Sequence, residues 1–204
     1  MSDKKIISLT FDDGPTIGIT DQVLDLLEKY NSRASFFLIG QQITPKTEYL
    51  IKRAMSLGCT IENHTKTHPS MPELSDEEIL AEVKYTTDEI IRVTGEKPLF
   101  FRPPYIDVCD RMYDLIDLTF ICGHGCEDWV PEVTAEERAE KILASAKDGA
   151  IILVHDMENN ENTIEALKVV IPKLISEGYE FVNVREIFAS KDKEIDHKIM
   201  YSEF

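Results

Sequence analysis

Apolar residues fall along the chain in two alternating kinds of run. Short continuous runs predict seven strands: Ile6-Ile7-Ser8-Leu9, Ser35-Phe36-Phe37-Leu38-Ile39, Cys59-Thr60-Ile61, Leu99-Phe100-Phe101, Phe120-Ile121-Cys122, Ile151-Ile152-Leu153-Val154 and Phe181-Val182-Asn183. Between them apolar residues recur three or four apart, as in Val23, Leu24, Leu27 and Tyr30, in Ile79, Val83 and Ile90, and in Ile164, Leu167, Ile171 and Leu174. That spacing predicts amphipathic helices. Ser75 with Glu78 and Thr134 with Glu137 read as capping boxes, Gly58, Gly95, Gly149 and Gly178 as stops, and Pro172 as a kink. Strands alternating with helices predict an α/β fold, a parallel sheet covered on both faces. Seven units fit a closed or nearly closed barrel and an open doubly wound sheet equally. The pattern puts one domain over residues 1–190 and a polar tail over 191–204.

Charge narrows the function classes. Lys and Arg number 22 against 38 Asp and Glu, a net charge of −16, which repels nucleic-acid phosphates and anionic lipid surfaces. No apolar run approaches the ~18 residues of a membrane helix. The expectation is no nucleic-acid partner and no membrane partner. Four scattered cysteines, Cys59, Cys109, Cys122 and Cys126, make no disulfide framework. The amino terminus shows no basic segment followed by a long apolar stretch, so it reads without a secretory signal.

In parallel α/β folds the working side chains follow the carboxyl ends of strands. Asp12 and Asp13 follow the first strand here, His64 and His68 the third, Arg102 and Tyr105 the fourth. Asp128 and Trp129 follow the fifth, His155 and Asp156 the sixth. Packing needs do not produce that joint pattern. His64 and His68 are four apart, so one helical turn would bring both imidazoles to one face, in reach of one metal at about 2.0–2.1 Å. The alternative is a pair of surface histidines in a polar loop. Asp12 and Asp13 add a carboxylate for the metal and one for a base, since neighbouring like charges call for a cation. His155 reads as a general acid with a pKa near neutrality, or as a satisfied histidine at a strand end. Asp156 reads as a solvated residue or a turn residue.

Five segments in order, Thr10-Phe11-Asp12-Asp13-Gly14-Pro15, His64-Thr65-Lys66-Thr67-His68, Arg102-Pro103-Pro104-Tyr105, Asp128-Trp129 and Leu153-Val154-His155, resemble the motifs of the polysaccharide deacetylases, carbohydrate esterase family 4 with its NodB-homology domain. The resemblance spans residues 6 to about 188. It implies a distorted (β/α) barrel of about seven strand–helix units and a metal-dependent deacetylase. By position, Asp13, His64 and His68 would hold one divalent metal, zinc or cobalt foremost, with manganese or nickel also compatible. Asp12 would be the base, Arg102 its ion-pair partner and His155 the acid. Asp128 would orient His155, the Tyr105 N–H would donate to the oxyanion, and Trp129 and Leu153 would wall a pocket for the acetyl methyl. The family often has a second aspartate where this chain has Gly125, which puts the surroundings of Arg102 or His155 in question. Cys122-Gly123-His124-Gly125-Cys126 reads as a flexible glycine loop rather than a second metal site.

The family acts on acetylated carbohydrate polymers, and such a polymer or oligosaccharide is the expected partner. The acidic chain favours neutral ones, with acetylxylan esterase first and deacetylase of N-acetylglucosamine polymers (peptidoglycan, chitin, chito-oligosaccharides) second. A non-catalytic carbohydrate binder is the rival from another class, though it has no use for an acid and a base. A metallopeptidase lacks support because no His-Glu-x-x-His helix is present. Polymer substrates imply an extracellular or cell-surface place, as a trimmed chain or a module of a larger secreted protein, with the cytoplasm as the alternative.

Overall fold

Six consecutive residues of β1 (Lys5–Asp12), from Ile7 to Asp12, are buried, because the strand is paired on both edges and covered on both faces. The computed structural model describes residues 5–190 and 195–203. In chain order α1 (Ile19–Lys29), β2 (Ala34–Leu38), α2 (Glu48–Ser56), β3 (Thr60–Asn63), α3 (Asp76–Thr94), β4 (Phe100–Phe101) and α4 (Met112–Leu115) follow β1. Then come β5 (Thr119–Ile121), β6 (His124–Gly125), α5 (Ala135–Ser145), β7 (Ala150–His155), α6 (Glu161–Ser176), β8 (Tyr179–Phe181), α7 (Val184–Ser190) and β9 (Met200–Tyr201). The strands lie in the order β6-β7-β1-β2-β3-β4-β5-β9, all pairs parallel, with β8 beside the first residues of β1. This is the expected α/β class, and the sheet curls into the distorted barrel.

Register does the positioning. β1 pairs with β7 so that Asp12 lies opposite His155, and β3 pairs with β4 at Asn63 and Phe101, which sets His64 beside Arg102. The helices are pinned where the caps predict: Ser75 Oγ accepts from Glu78 N at 3.3 Å, and Glu137 Oε2 accepts from Thr134 N at 2.8 Å. Such caps stabilise a helix by roughly 1 kcal/mol each. The main core, with Leu9, Phe11, Leu27, Phe36, Val154 and Leu167, holds the strand ends rigid below the site. No helix among the described residues is long and apolar enough to cross a membrane.

The structure corrects three expectations. The seventh strand is Tyr179–Phe181, two residues earlier than read, because Asn183 starts α7. Asn183 Oδ1 accepts from Glu186 N at 3.0 Å and Glu186 Oε2 accepts from Asn183 N at 2.9 Å, a capping box that outcompetes strand pairing. The glycine loop contains β6, which adds to the edge of β7. α6 runs over Glu161–Ser176 with Pro172 inside it. The polar tail is also part of the sheet: β9 pairs with β5, Cys122 N donates to Tyr201 O at 2.7 Å, and Ile151 N donates to Ser202 O at 3.3 Å. The tail thus bridges β5 to β7 and closes the curl; its residues 191–194 and 204, like residues 1–4, lie outside the described residues.

Candidate active site

Asp12, the last residue of β1, is buried, and its Oδ1 accepts from Nη1 of Arg102 at 2.5 Å. Arg102 is fully buried just past β4, its guanidinium carbon 4.2 Å from the centre of the Phe37 ring, and among the described residues Asp12 is the one carboxylate paired with it. Its Nε and Nη2 find no hydrogen-bond partner among the described residues. The second carboxylate oxygen of Asp12 lies 3.9 Å from His64 Nε2. One oxygen is anchored; the other faces the cavity histidines.

Asp13 leaves the strand with φ 70, a left-handed turn that swings its carboxylate away from that of Asp12. Its Oδ1 lies 3.4 Å from His64 Nε2 and 3.5 Å from His68 Nε2, is buried, and has no hydrogen-bond partner among the described residues. Asp13, His64 and His68 each present one ligand atom, all within 4.8 Å of one another. Burial works against the charge of Asp13, but contact with His64 and the charges of His64, His155 and His68 hold its carboxyl below the usual range. Burial, with repulsion from His64, pushes His68 below its ordinary pKa despite Asp13 and Asp12, so the ring is neutral at pH 7. His64 Nδ1 lies 2.6 Å from the Arg102 carbonyl oxygen, which can only accept; Nδ1 therefore carries the proton, and in the neutral ring Nε2 offers a lone pair.

The histidines meet by a route other than the one the spacing predicts. Residues 64–68 form no helical turn; Thr65 at φ 68 and His68 at φ 60 reverse the chain instead. Asn63 Oδ1 accepts from Thr65 N at 2.9 Å while its Nδ2 donates to Val83 O at 2.8 Å, which ties the loop to α3. Thr65 Oγ1 accepts from His68 N at 3.1 Å. Asn63 is a site residue that sequence reasoning passed over, and its position just before the first histidine was the available signal.

On the other wall Asp128 is buried and saturated. Its Oδ1 accepts from His155 Nδ1 at 2.8 Å; its Oδ2 accepts from His155 N at 2.7 Å, Thr163 Oγ1 at 3.1 Å and Asn160 Nδ2 at 3.2 Å. Arg138, buried on α5, donates to Asn160 Oδ1 at 2.5 Å and Thr163 Oγ1 at 2.9 Å. Burial alone would lower the His155 pKa, but the hydrogen bond and charge of Asp128, with Asp12 and Asp13, outweigh it and raise the value to about 9. The ring is cationic at neutral pH. Sequence reasoning missed Arg138, Asn160 and Thr163, because a buried arginine on a helix stripe has no local signature.

Asp12, Asp13, His64, His68, Tyr105, Trp129, Leu153 and His155 line one cavity of about 480 Å³. Arg102 and Asp128 stand behind it. The Tyr105 ring is exposed and packs edge-on to His68 at 4.6 Å between centroids, and the exposed Trp129 ring lies 5.7 Å from that of His155. The Tyr105 N–H makes no hydrogen bond with the described residues, in a turn where Tyr105 and Ile106 both take left-handed φ, 59 and 56. Gly125 lies against the Trp129 indole, its position for a Cβ 3.4 Å from Cζ3, rather than against Arg102 or His155. Asp156 is not solvated. It is fully buried, accepts from Thr20 Oγ1 at 2.5 Å, and sits so close to Gly14 that any Cβ there would be 2.4 Å from its Oδ2.

The sequence profile described as polysaccharide deacetylase matches residues 1–119, over half of the chain. The chain belongs to the polysaccharide deacetylase family. It is 43% identical over 198 residues to a bifunctional xylanase/deacetylase of Pseudobutyrivibrio xylanivorans, a match covering 96% of this chain and 33% of that protein. It is 36% identical over 188 residues to the peptidoglycan-N-acetylglucosamine deacetylase PgdA of Listeria monocytogenes, covering 92% of this chain and 40% of that one. The chain thus spans two-fifths or less of these relatives. Among solved structures, a family 4 acetyl xylan esterase from Clostridium thermocellum in complex with a cobalt ion superposes with a TM-score of 0.94, at 39% identity and 98% coverage of both chains. A divalent cation fits this member of the polysaccharide deacetylases as well: two imidazoles and one carboxylate, whose buried oxygen lacks a hydrogen-bond partner among the described residues, are the donor chemistry such an ion uses.

Proposed function

We propose that this chain is a metal-dependent hydrolase that removes acetyl groups from a neutral carbohydrate polymer, with the O-acetyl groups of acetylxylan as its first substrate. The observation that carries the reading is the meeting, in one cavity, of a three-donor cation cradle, a carboxylate held by buried Arg102, and an imidazole held by Asp128. Asp13, His64 and His68 would hold zinc or cobalt. Such an ion, when bound, supplies Lewis acidity toward water and toward an acetyl carbonyl.

The remaining work falls to the chain. Asp12, its charge kept by Arg102, takes the proton of the attacking water on its free oxygen. The Tyr105 N–H donates to the oxyanion, and one such donor is worth roughly 3–4 kcal/mol in other acyl-transfer enzymes. His155, cationic through Asp128, gives its Nε2 proton to the departing sugar oxygen. Trp129 and Leu153 enclose the methyl group. Likeness to an acetyl xylan esterase supports the ester as substrate, and the absence of lysine or arginine from the residues lining the cavity supports a neutral polymer. Such a polymer places the activity outside the cell.

Acetate release from acetylxylan and from chitopentaose, on chelator-treated protein with and without added zinc or cobalt, tests the reading. Metal-dependent release from acetylxylan is the expected result. Release from chitopentaose alone would move the substrate to the N-acetyl class; none from either would end the proposal.

A further inference from the structure

His64 and His68 are held in different ways. The His64 ring is fixed through its second nitrogen, with Nδ1 2.6 Å from the Arg102 carbonyl oxygen. Most metal-ligating histidines are held like this, because the second hydrogen bond sets the tilt of the ring. His68 makes no side-chain hydrogen bond among the described residues; its ring packs edge-on against His64 and Tyr105. The place of its Nε2 is therefore set by the main chain that carries it.

That main chain has a shape its surroundings must enforce. Thr65 and His68 both take left-handed φ, 68 and 60, which residues with a Cβ keep only where neighbouring structure holds them. Lys66 and Thr67 lie between them. On one side the turn after β2 grips the loop: Gly40 N donates to Thr65 O at 2.9 Å, and Gln41 N donates to Lys66 O at 3.1 Å. On the other side stands Glu82, half-buried in the second turn of α3. Its Oε2 accepts from Lys66 N at 2.9 Å and from Thr67 N at 2.8 Å, and its Oε1 accepts from Thr67 Oγ1 at 2.9 Å. The Lys66 ammonium sits over the Tyr85 ring, 4.7 Å from its centre, and Glu82 forms no salt bridge among the described residues. What the carboxylate gives the loop is three hydrogen bonds of the charge-assisted, stronger kind.

We propose that Glu82 is a positioning residue for the cation: by tying the main chain of Lys66 and Thr67 to α3, it holds His68 Nε2 beside the oxygen of Asp13 before any ion arrives. The inference rests on the function proposed above. It deepens that reading by making a side chain outside the cavity govern cation affinity. The physical basis is preorganisation, since a loop free to leave its left-handed turns has to be ordered again whenever a cation binds. A cap with a merely structural task would change stability and leave affinity alone.

The test titrates zinc and cobalt by calorimetry into chelator-treated wild type, Glu82→Gln and Glu82→Ala, with a melting curve of each cation-free protein. Glu82→Gln keeps an oxygen for the two main-chain donors and an amide that can donate to Thr67 Oγ1, so its affinity should stay within about threefold of wild type. Glu82→Ala leaves all three donors to water, and its dissociation constant should rise roughly 10–100-fold, the usual effect of losing a group that orients a metal ligand. Wild-type affinity in Glu82→Ala, with or without a lower melting temperature, would reduce Glu82 to a structural cap and overturn the proposal. Equal weakening in Glu82→Gln and Glu82→Ala would overturn it too, because charge rather than hydrogen bonding would then be acting. Should Glu82→Ala not fold, Glu82→Asp takes its place: it keeps the charge and withdraws it by one methylene, and unchanged affinity there would have the same meaning. A wild type that binds neither cation would end the function proposed above and this inference with it, whereas equal binding by wild type and variants would end this inference alone.

Discussion

Asp128 and Asp13 each lie against a histidine of the same cavity, and each sits just past a strand, but their surroundings are opposite. Asp128 accepts four hydrogen bonds, and the groups that donate two of them are held in turn by buried Arg138. Asp13 keeps an oxygen that is buried, has no hydrogen-bond partner among the described residues, and faces two imidazole nitrogens at 3.4 and 3.5 Å. A saturated buried carboxylate has nothing left to bind and can only fix the charge and tilt of its neighbour, which is how His155 holds a proton. An unsaturated one costs stability unless something from outside completes it. One wall is a finished network and the other keeps an unshared carboxylate oxygen among imidazoles, with Asp12 between them, opposite His155 in the sheet and beside Asp13 in the chain.

The largest effect should come from the group shared by the two walls. Asp12→Asn keeps the shape and removes the base, so kcat should fall roughly 10²–10⁴-fold, the usual contribution of general-base catalysis. Buried Arg102 would lose the carboxylate it pairs with, which costs about 3–5 kcal/mol of stability when a buried ion pair is broken from one side. Turnover with saturating zinc, calorimetry of zinc binding and a melting curve separate the effects. Zinc binding retained while turnover collapses fits a base; turnover within a few-fold of wild type would remove Asp12 from that role.

How much of this contrast could be read in the chain follows from locality. β1, β2 and β7 are buried on both faces, so apolar residues dominate them, interrupted by the buried hydroxyls of Ser8, Thr10 and Ser35, and the charged residues and histidine at the ends of β1 and β7 stand out. The same holds for Asp12, Asp13, His64, His68 and His155. What escaped notice depends on distant partners or on backbone signs. His64 and His68 meet through left-handed turns at Thr65 and His68, which spacing alone represents as a helix. Arg138 is 22 residues from Asn160 and 25 from Thr163, so nothing local marks it as their support. β9 is two residues long and pairs with a strand about 80 positions earlier, too short for any period to show.

A smaller effect, on the finished wall, is a change of pH profile. His155 carries a pKa near 9 in large part because of the Asp128 carboxylate. A general acid works only while protonated, so wild-type kcat/KM should decline as pH rises through that value. A cation at Asp13 would lower it somewhat by offsetting that carboxylate. Asp128→Asn removes the main source of the increase, and the decline should move down toward the ordinary histidine pKa of about 6.5. The variant should approach wild-type rates only at acid pH. An unmoved alkaline limb in Asp128→Asn would mean that another group sets it.

The smallest effect tests the contrast itself. Thr163→Val is nearly isosteric and takes one donor from Asp128 and one acceptor from Arg138, both buried. It should cost about 1 kcal/mol, which for a chain of this size lowers the melting temperature by about 2–4 °C, and leave zinc affinity as it was. His68→Ala should do the reverse in cation-free protein. Its ring makes edge contacts with His64 and Tyr105 and lies 3.5 Å from Asp13 Oδ1 without a side-chain hydrogen bond among the described residues, so the melting temperature should change little while zinc affinity falls steeply. The two melting curves and two zinc titrations form a crossed pattern only if one wall is complete without an ion and the other is not. Equal losses of stability in both variants, or a loss of zinc affinity in Thr163→Val, would mean that the walls form a single network and that the oxygen of Asp13 is not reserved for a cation.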